Sequence, residues 1–146
     1  MLIVSVPARI SIVTLGVSDL ARSSAFYEAL GWERASSSQD SICWFRTADS
    51  YLGLFGYESL AEDAKLPATP RAAFGGITLA INVESEEAVT AALDEATRAG
   101  GKILKPAVRA DWGGFSGYFA DPDGYPWEVA HNPNFPIGED GRVFIP

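Results

Sequence analysis

The sequence predicts an α+β fold made of two βαβββ modules, one after the other in the chain. Three observations lead there. Strand-like and helix-like stretches run strand–helix–strand–strand–strand, and then the order starts again. Residues 45–57, FRTADSYLGLFGY, lie without a gap on 119–131, FADPDGYPWEVAH, at an offset of 74 positions. That alignment pairs Phe45 with Phe119, Asp49 with Asp123 and Tyr51 with Tyr125. Finally, 146 residues suit one domain by the usual prior of about 100–200. The expected organisation is one domain over 1–146: module one about 8–57, a linker about 58–74, module two about 75–131, and a tail over 132–146.

The first module opens with ISIVTLGV at 10–17, a β-branched run that reads as a buried strand. SDLARSSAFYEALG follows. Ser18 or Asp19 can cap a helix whose apolar sector holds Leu20, Phe26, Tyr27 and Leu30. Gly31 sits where a left-handed residue ends such a helix. Strands are expected at 32–37, 41–47 and 51–57, with a turn at Asp49-Ser50. Residues 58–73, polar and carrying Pro67 and Pro70, read as a short helix and a connection.

The second module opens with ITLAINV at 77–83. Ser85 starts a helix with Glu86 and Glu87 in its first turn, where they suit the helix dipole, and Gly100-Gly101 close it. KILK, GFSGYFA and YPWEVAH supply three strands, and Asp121-Pro122-Asp123-Gly124 is a strong turn between the last two. Asp140-Gly141 marks a turn in the tail.

Composition closes off several functions. The single Cys43 allows no internal disulfide or zinc knot, and the single His131 excludes a one-chain site that needs two imidazoles. A net charge of −8 argues against nucleic acid, which is bound by Lys and Arg. No apolar run approaches the ~20 residues of a membrane span, and MLIVSVPARI lacks the basic start of a signal peptide. The expected location is the cytoplasm. The acidic balance either keeps the protein soluble or attracts cationic ligands.

Two stretches, VTLGVSDLARSSAFYEALGW and GYFADPDGYPWEVAHNP, resemble the vicinal oxygen chelate superfamily. That superfamily includes glyoxalases, extradiol dioxygenases and bleomycin resistance proteins. The resemblance runs to about residue 133. It implies paired modules whose mixed sheets curl around a cavity, commonly in a homodimer. In the enzymes, a divalent metal in that cavity is held by His, Glu or Gln from the first and last strand of each module. Carried over, those positions fall on Ile12, Leu54, Thr78 and Glu128. Only Glu128 is a plausible ligand, because Ile and Leu offer no donor and Thr a poor one. No cofactor is therefore expected, and a divalent metal through Glu128 is the alternative. His131, by strand alternation, falls on the face opposite Glu128 unless a bulge intervenes.

A carboxylate within an apolar strand is costly unless it is paired or hydrated, so Glu128 is either a site residue and the catalytic candidate, or half of an ion pair such as one with Arg46. Alternation and the repeat place Trp44, Arg46, Leu54, Ser116, Tyr118 and Glu128 toward the cavity, with Phe45 and Phe119 in the core. Trp112 lies on a Gly-rich loop placed to fold over the mouth. The aromatics read either as core rings or as walls that stack on a flat or cationic ligand. The first functional expectation is sequestration of a small organic molecule, as in bleomycin (antibiotic) resistance, with no complete metal site. The second is an enzyme: a metal-dependent lyase or dioxygenase, or a metal-independent one using Glu128 as acid or base.

Overall fold

The computed structural model describes residues 5–146, so the first four residues of the N-terminal stretch lie outside the described residues. Module one holds β1 (Ile12–Val17), α1 (Leu20–Ala29), β2 (Ile42–Arg46) and β3 (Tyr51–Gly56). Next comes α2 (Tyr57–Asp63), the short helix expected at the start of the linker. Module two holds β4 (Leu79–Asn82), α3 (Glu86–Arg98), β5 (Lys102–Arg109), β6 (Phe115–Ala120) and β7 (Pro126–His131). Both sheets are mixed, in the orders β1-β3-β2 and β4-β7-β6-β5. In each, the first and last strands of the module pair parallel and the hairpin pairs antiparallel.

Local chemistry sets the helix ends. Asp19 caps α1 by accepting from Arg22 N at 3.0 Å, and Gly31 leaves it with φ 85°. Ser85 caps α3 by accepting from Ala88 N at 3.0 Å, while Glu86, Glu87 and Arg98 sit at the ends that suit their charges.

One expected strand is missing. Residues 32–37 make a single bridge, Arg34 to Phe45, rather than a fourth strand of the first sheet. The Ser38 hydroxyl accepts the Trp44 N–H at 3.0 Å, and Ser38 N donates to Ala35 O in a turn. A side chain thus takes the hydrogen bond that a longer ladder would have used. In module two the corresponding strand runs the other way from expectation, extending past KILK to Arg109. Its register shifts on either side of Lys105 and Pro106, as a proline without an N–H requires at a sheet edge.

The helix-side faces of both sheets meet in one core, where Leu15, Leu52, Leu54, Cys43 and Phe45 join Phe119, Trp127 and Val129 around α1 and α3. Gly117 lets α3 and β5 approach: a Cβ there would come within 2.8 Å of Leu93 Cδ1 and of Lys105 O. Phe26 and Tyr27 from α1 stand at the centre of this core, Tyr27 in contact with Trp32, Phe45 and Trp127.

The turn after β6 does more than reverse the chain. Tyr27 donates to Asp121 Oδ2 at 2.6 Å and accepts from Trp127 Nε1 at 3.1 Å. Ser18, through N and Oγ, and Ser23 all donate to the Asp123 carboxylate, and the Tyr125 hydroxyl donates to Gly16 O at 2.8 Å. The first turn of α1 is thereby latched to module two.

Candidate functional site

Strand register decides which side chains share a face. In the first sheet the face turned away from the core carries Ile12, Thr14, Trp44, Arg46, Tyr51 and Gly53. A Cβ on Gly53 would meet Thr14, Trp44 and Ile12 side chains, which places all four positions together. In the second sheet the outward face carries Ser116, Tyr118 and Glu128, with Tyr118 directly opposite Glu128. Ala80 lies beside Glu128 on β4.

Leu54 is not on this face. It is fully buried on the helix side, level with Leu15 and Cys43. Glu128 pairs with Tyr118 as Gly53 pairs with Trp44, so the counterpart of Glu128 is Gly53. The cause is one extra residue in module two between the buried Phe of the hairpin and its cross-strand partner: Phe45 pairs with Leu52, but Phe119 with Trp127. A one-residue slip moves a strand residue to the opposite face.

Trp112 is 48 % exposed, and its ring lies over Gly114, in the space a side chain there would need. It lines none of the three clefts described below. His131 stays on the face opposite Glu128, with Nδ1 3.1 Å from Val83 O.

Trp44 and Arg46 border a shallow pocket of about 310 Å³ with Ile12, Tyr51 and Ser36. Arg46 donates to the Tyr51 hydroxyl at 2.7 Å and lies 5.5 Å from its ring centre. No ion pair joins Arg46 to Glu128 among the described residues. Tyr118 has its phenol pushed up, first by burial and then by the Glu128 carboxylate beside it. Trp44 borders the 310 Å³ pocket, and Tyr118 lines none of the three clefts.

A second cleft, of about 580 Å³, lies between the modules. Trp32, Trp127, Leu79 and Ile81 line it, Arg46 and Tyr51 stand at it, and Gly141 and Val143 of the tail lie along it. Sequence reasoning missed Trp32 and the tail here. Trp32 follows the helix-ending Gly31 without any periodic signal, and the tail shows only turn chemistry.

The four positions to which the resemblance assigns metal ligands are, once register replaces Leu54 by Gly53, Ile12, Gly53, Thr78 and Glu128. Isoleucine and glycine bring no side-chain donor, and threonine brings a weak neutral one. No group of three or more His, Cys, Asp or Glu able to hold a metal occurs among the described residues. The donor set does not fit a divalent cation.

Two helix-backed mixed sheets, latched through one helix and one turn, define a duplicated α+β protein. Residues 9–129 match the model of the Glyoxalase/Bleomycin resistance protein/Dioxygenase superfamily. The chain belongs to that superfamily. It is 36 % identical to a glyoxalase-related enzyme from Fulvimarina pelagi, with TM-score 0.87 over 95 % of this chain and 99 % of that one. Two more distant structures share the fold. One is a glyoxalase/bleomycin resistance protein/dioxygenase from Nocardioides, with 24 % identity, TM-score 0.73 and coverage of 88 % and 85 %. The other is a lactoylglutathione lyase from Agrobacterium tumefaciens, with 23 % identity, TM-score 0.66 and coverage of 86 % and 95 %. Comparison with curated proteins gave no match. No helix among the described residues is long and apolar enough to cross a membrane.

Proposed function

We propose that this protein binds a small organic molecule, aromatic or cationic, on the outward sheet faces that carry Trp44, Arg46, Ser116, Tyr118 and Glu128, and that it does so without a metal. The observation that carries the reading is the donor set: one carboxylate remains where four ligands would be needed, and the Tyr118 ring stands directly beside it. Tyr118 and Trp44 supply flat surfaces for stacking, and Glu128 a negative charge for a cation. The same reading includes a homodimer. Ile12, half-exposed beside Trp44, and Ile77, 68 % exposed just before β4, leave apolar surface for a second copy to cover. The acidic chain would work in the cytoplasm.

The test is titration with N-methylquinolinium, a flat aromatic cation, followed by tryptophan fluorescence and calorimetry. Saturable binding that weakens by about tenfold or more in Glu128→Gln and Trp44→Ala supports the reading. Equal affinity in wild type and both variants overturns it. Elemental analysis of protein purified without chelator should show no stoichiometric divalent metal; stoichiometric nickel, zinc, iron or manganese would refute the metal-free part.

A second reading rests on the Tyr118–Glu128 pair itself. Glu128, acting as acid or base beside the Tyr118 phenol, would give a metal-independent enzyme. The 36 % identity to a protein described as a glyoxalase-related enzyme favours keeping it. Turnover that survives chelation and is lost in Glu128→Gln would select it over binding alone.

A further inference from the structure

A cleft of about 740 Å³ lies away from every residue discussed above as a site. It is lined by the end of β1, the starts of α1 and α2, the linker at Pro70-Arg71, and the turn at Pro122-Asp123. Two guanidinium groups, Arg22 and Arg71, enter it in a chain whose overall charge is −8.

The two arginines are not equivalent. Arg22 is already engaged: it donates to Ser18 Oγ at 2.9 Å and lies 3.5 Å from Asp123 Oδ1. Arg71 has no carboxylate within ion-pair distance among the described residues. Its guanidinium stacks 3.9 Å from the centre of the Tyr125 ring, and one Nη2 N–H donates to the Asp123 carbonyl. Stacking and that one bond fix the plane of the group. A guanidinium has five N–H donors in a rigid fork, so most of the fork is left unused. Asp123 does not compensate it. Its side chain is 7 % exposed, and both oxygens are taken by Ser18, Ser23 and Arg22. The other acidic lining residue, Glu58, is exposed and makes no ion pair among the described residues.

A pinned, unneutralised arginine in a roomy cleft is the arrangement that takes an oxyanion bidentately. We propose that this cleft is a second binding site, for the carboxylate or phosphate group of a small anionic molecule, with Arg71 as its anchor and Arg22 and the Ser59 hydroxyl as further donors. Arg71 belongs to the linker and its stacking partner to module two, so a bound anion would tighten the contact between them.

The experiment titrates the full-length protein with inorganic phosphate and, separately, with succinate, at ionic strength held constant with sodium chloride. Binding is read by calorimetry and by amide NMR shifts. Saturable binding is expected, with shifts centred on Ser18, Ser59, Arg71 and Asp123. Arg71→Gln, which keeps a donor for the Asp123 carbonyl, should weaken it by about tenfold or more. Glu58→Gln should tighten it by removing a like charge at the rim. Phosphate without succinate, or the reverse, would say which oxyanion the site prefers. The proposal is overturned if neither anion binds, if the shifts fall elsewhere, or if Arg71→Gln and wild type bind alike. Should Arg71→Gln fail to fold, the NMR map of the wild type and the Glu58→Gln affinity decide alone.

Discussion

Replacing Tyr27 by phenylalanine tests the latch between the modules at its most buried point. Tyr27 is wholly buried, and Asp121 is 4 % exposed. The substitution removes one oxygen that makes two bonds. The donation to Asp121 at 2.6 Å is charge-assisted, for which loss costs about 1.5–3 kcal/mol. The Trp127 indole N–H, 3.1 Å away, is left in the core without its partner at a further cost of about 1–3 kcal/mol. The ring itself keeps its contacts, so no large void adds to the sum. The expected loss is about 3–5 kcal/mol, measured by urea unfolding at pH 7 and followed by tryptophan fluorescence.

The same substitution carries a pH signature. Burial first, and then the nearby Asp121 charge, push the Tyr27 phenol far above its ordinary value. The neutral phenol is therefore favoured in the native state. Its contribution is whole below the unfolded value of about 10 and is lost as the pH rises above it, by about 1.4 kcal/mol per pH unit. Wild type should lose stability between pH 10 and 12 more steeply than Tyr27→Phe by that amount. A loss below about 1 kcal/mol at pH 7, together with identical alkaline slopes, would refute the reasoning.

Gly117→Ala should destabilise by about 1–3 kcal/mol in the same urea assay, because the new methyl group meets the Lys105 carbonyl and Ala107 N as well as a movable Leu93. Gly114→Ala should cost under about 1 kcal/mol, since it displaces only the exposed Trp112 ring, and should change the emission of that tryptophan. Glu128→Gln should bring the Tyr118 phenol back toward its ordinary value in an ultraviolet titration, though not fully, because burial is the larger cause. Asp121 is raised chiefly by burial, against hydrogen bonds from Tyr27 and two backbone N–H groups. Its share of stability is whole below about pH 4 and declines as the pH rises through the higher native value, so Asp121→Asn should flatten the curve in that window.

Much of the architecture was legible because period and caps are local. Asp19, Ser85 and the glycines that follow α1 and α3 announced those two helices, and alternation separated Phe45 and Phe119 from Trp44 and Tyr118. What failed depended on counts across a turn. The identities Asp49/Asp123 and Tyr51/Tyr125 sit in or next to the turns, where they do not fix register. The alignment they supported therefore put Leu54 on the wrong face. The strand at 32–37 failed for a different reason: nothing in WERASS reveals that the hydroxyl of the next residue, Ser38, takes the Trp44 N–H. Arg71 was invisible as well, since a linker arginine gains meaning only when Tyr125 and the Asp123 carbonyl meet it.

The latch also sets a timetable for synthesis. Ser18, Ser23 and Tyr27 find their partners 94 to 105 residues further along the chain. At about 5–20 residues per second, the newly made helix waits roughly 5–20 s before Asp121 and Asp123 exist. During that interval Phe26 and Tyr27 have only half of their eventual surroundings. The amino-terminal half is completed by the last quarter of the chain, and a nascent chain halted before Asp121 carries a finished helix that can pack only on its own sheet.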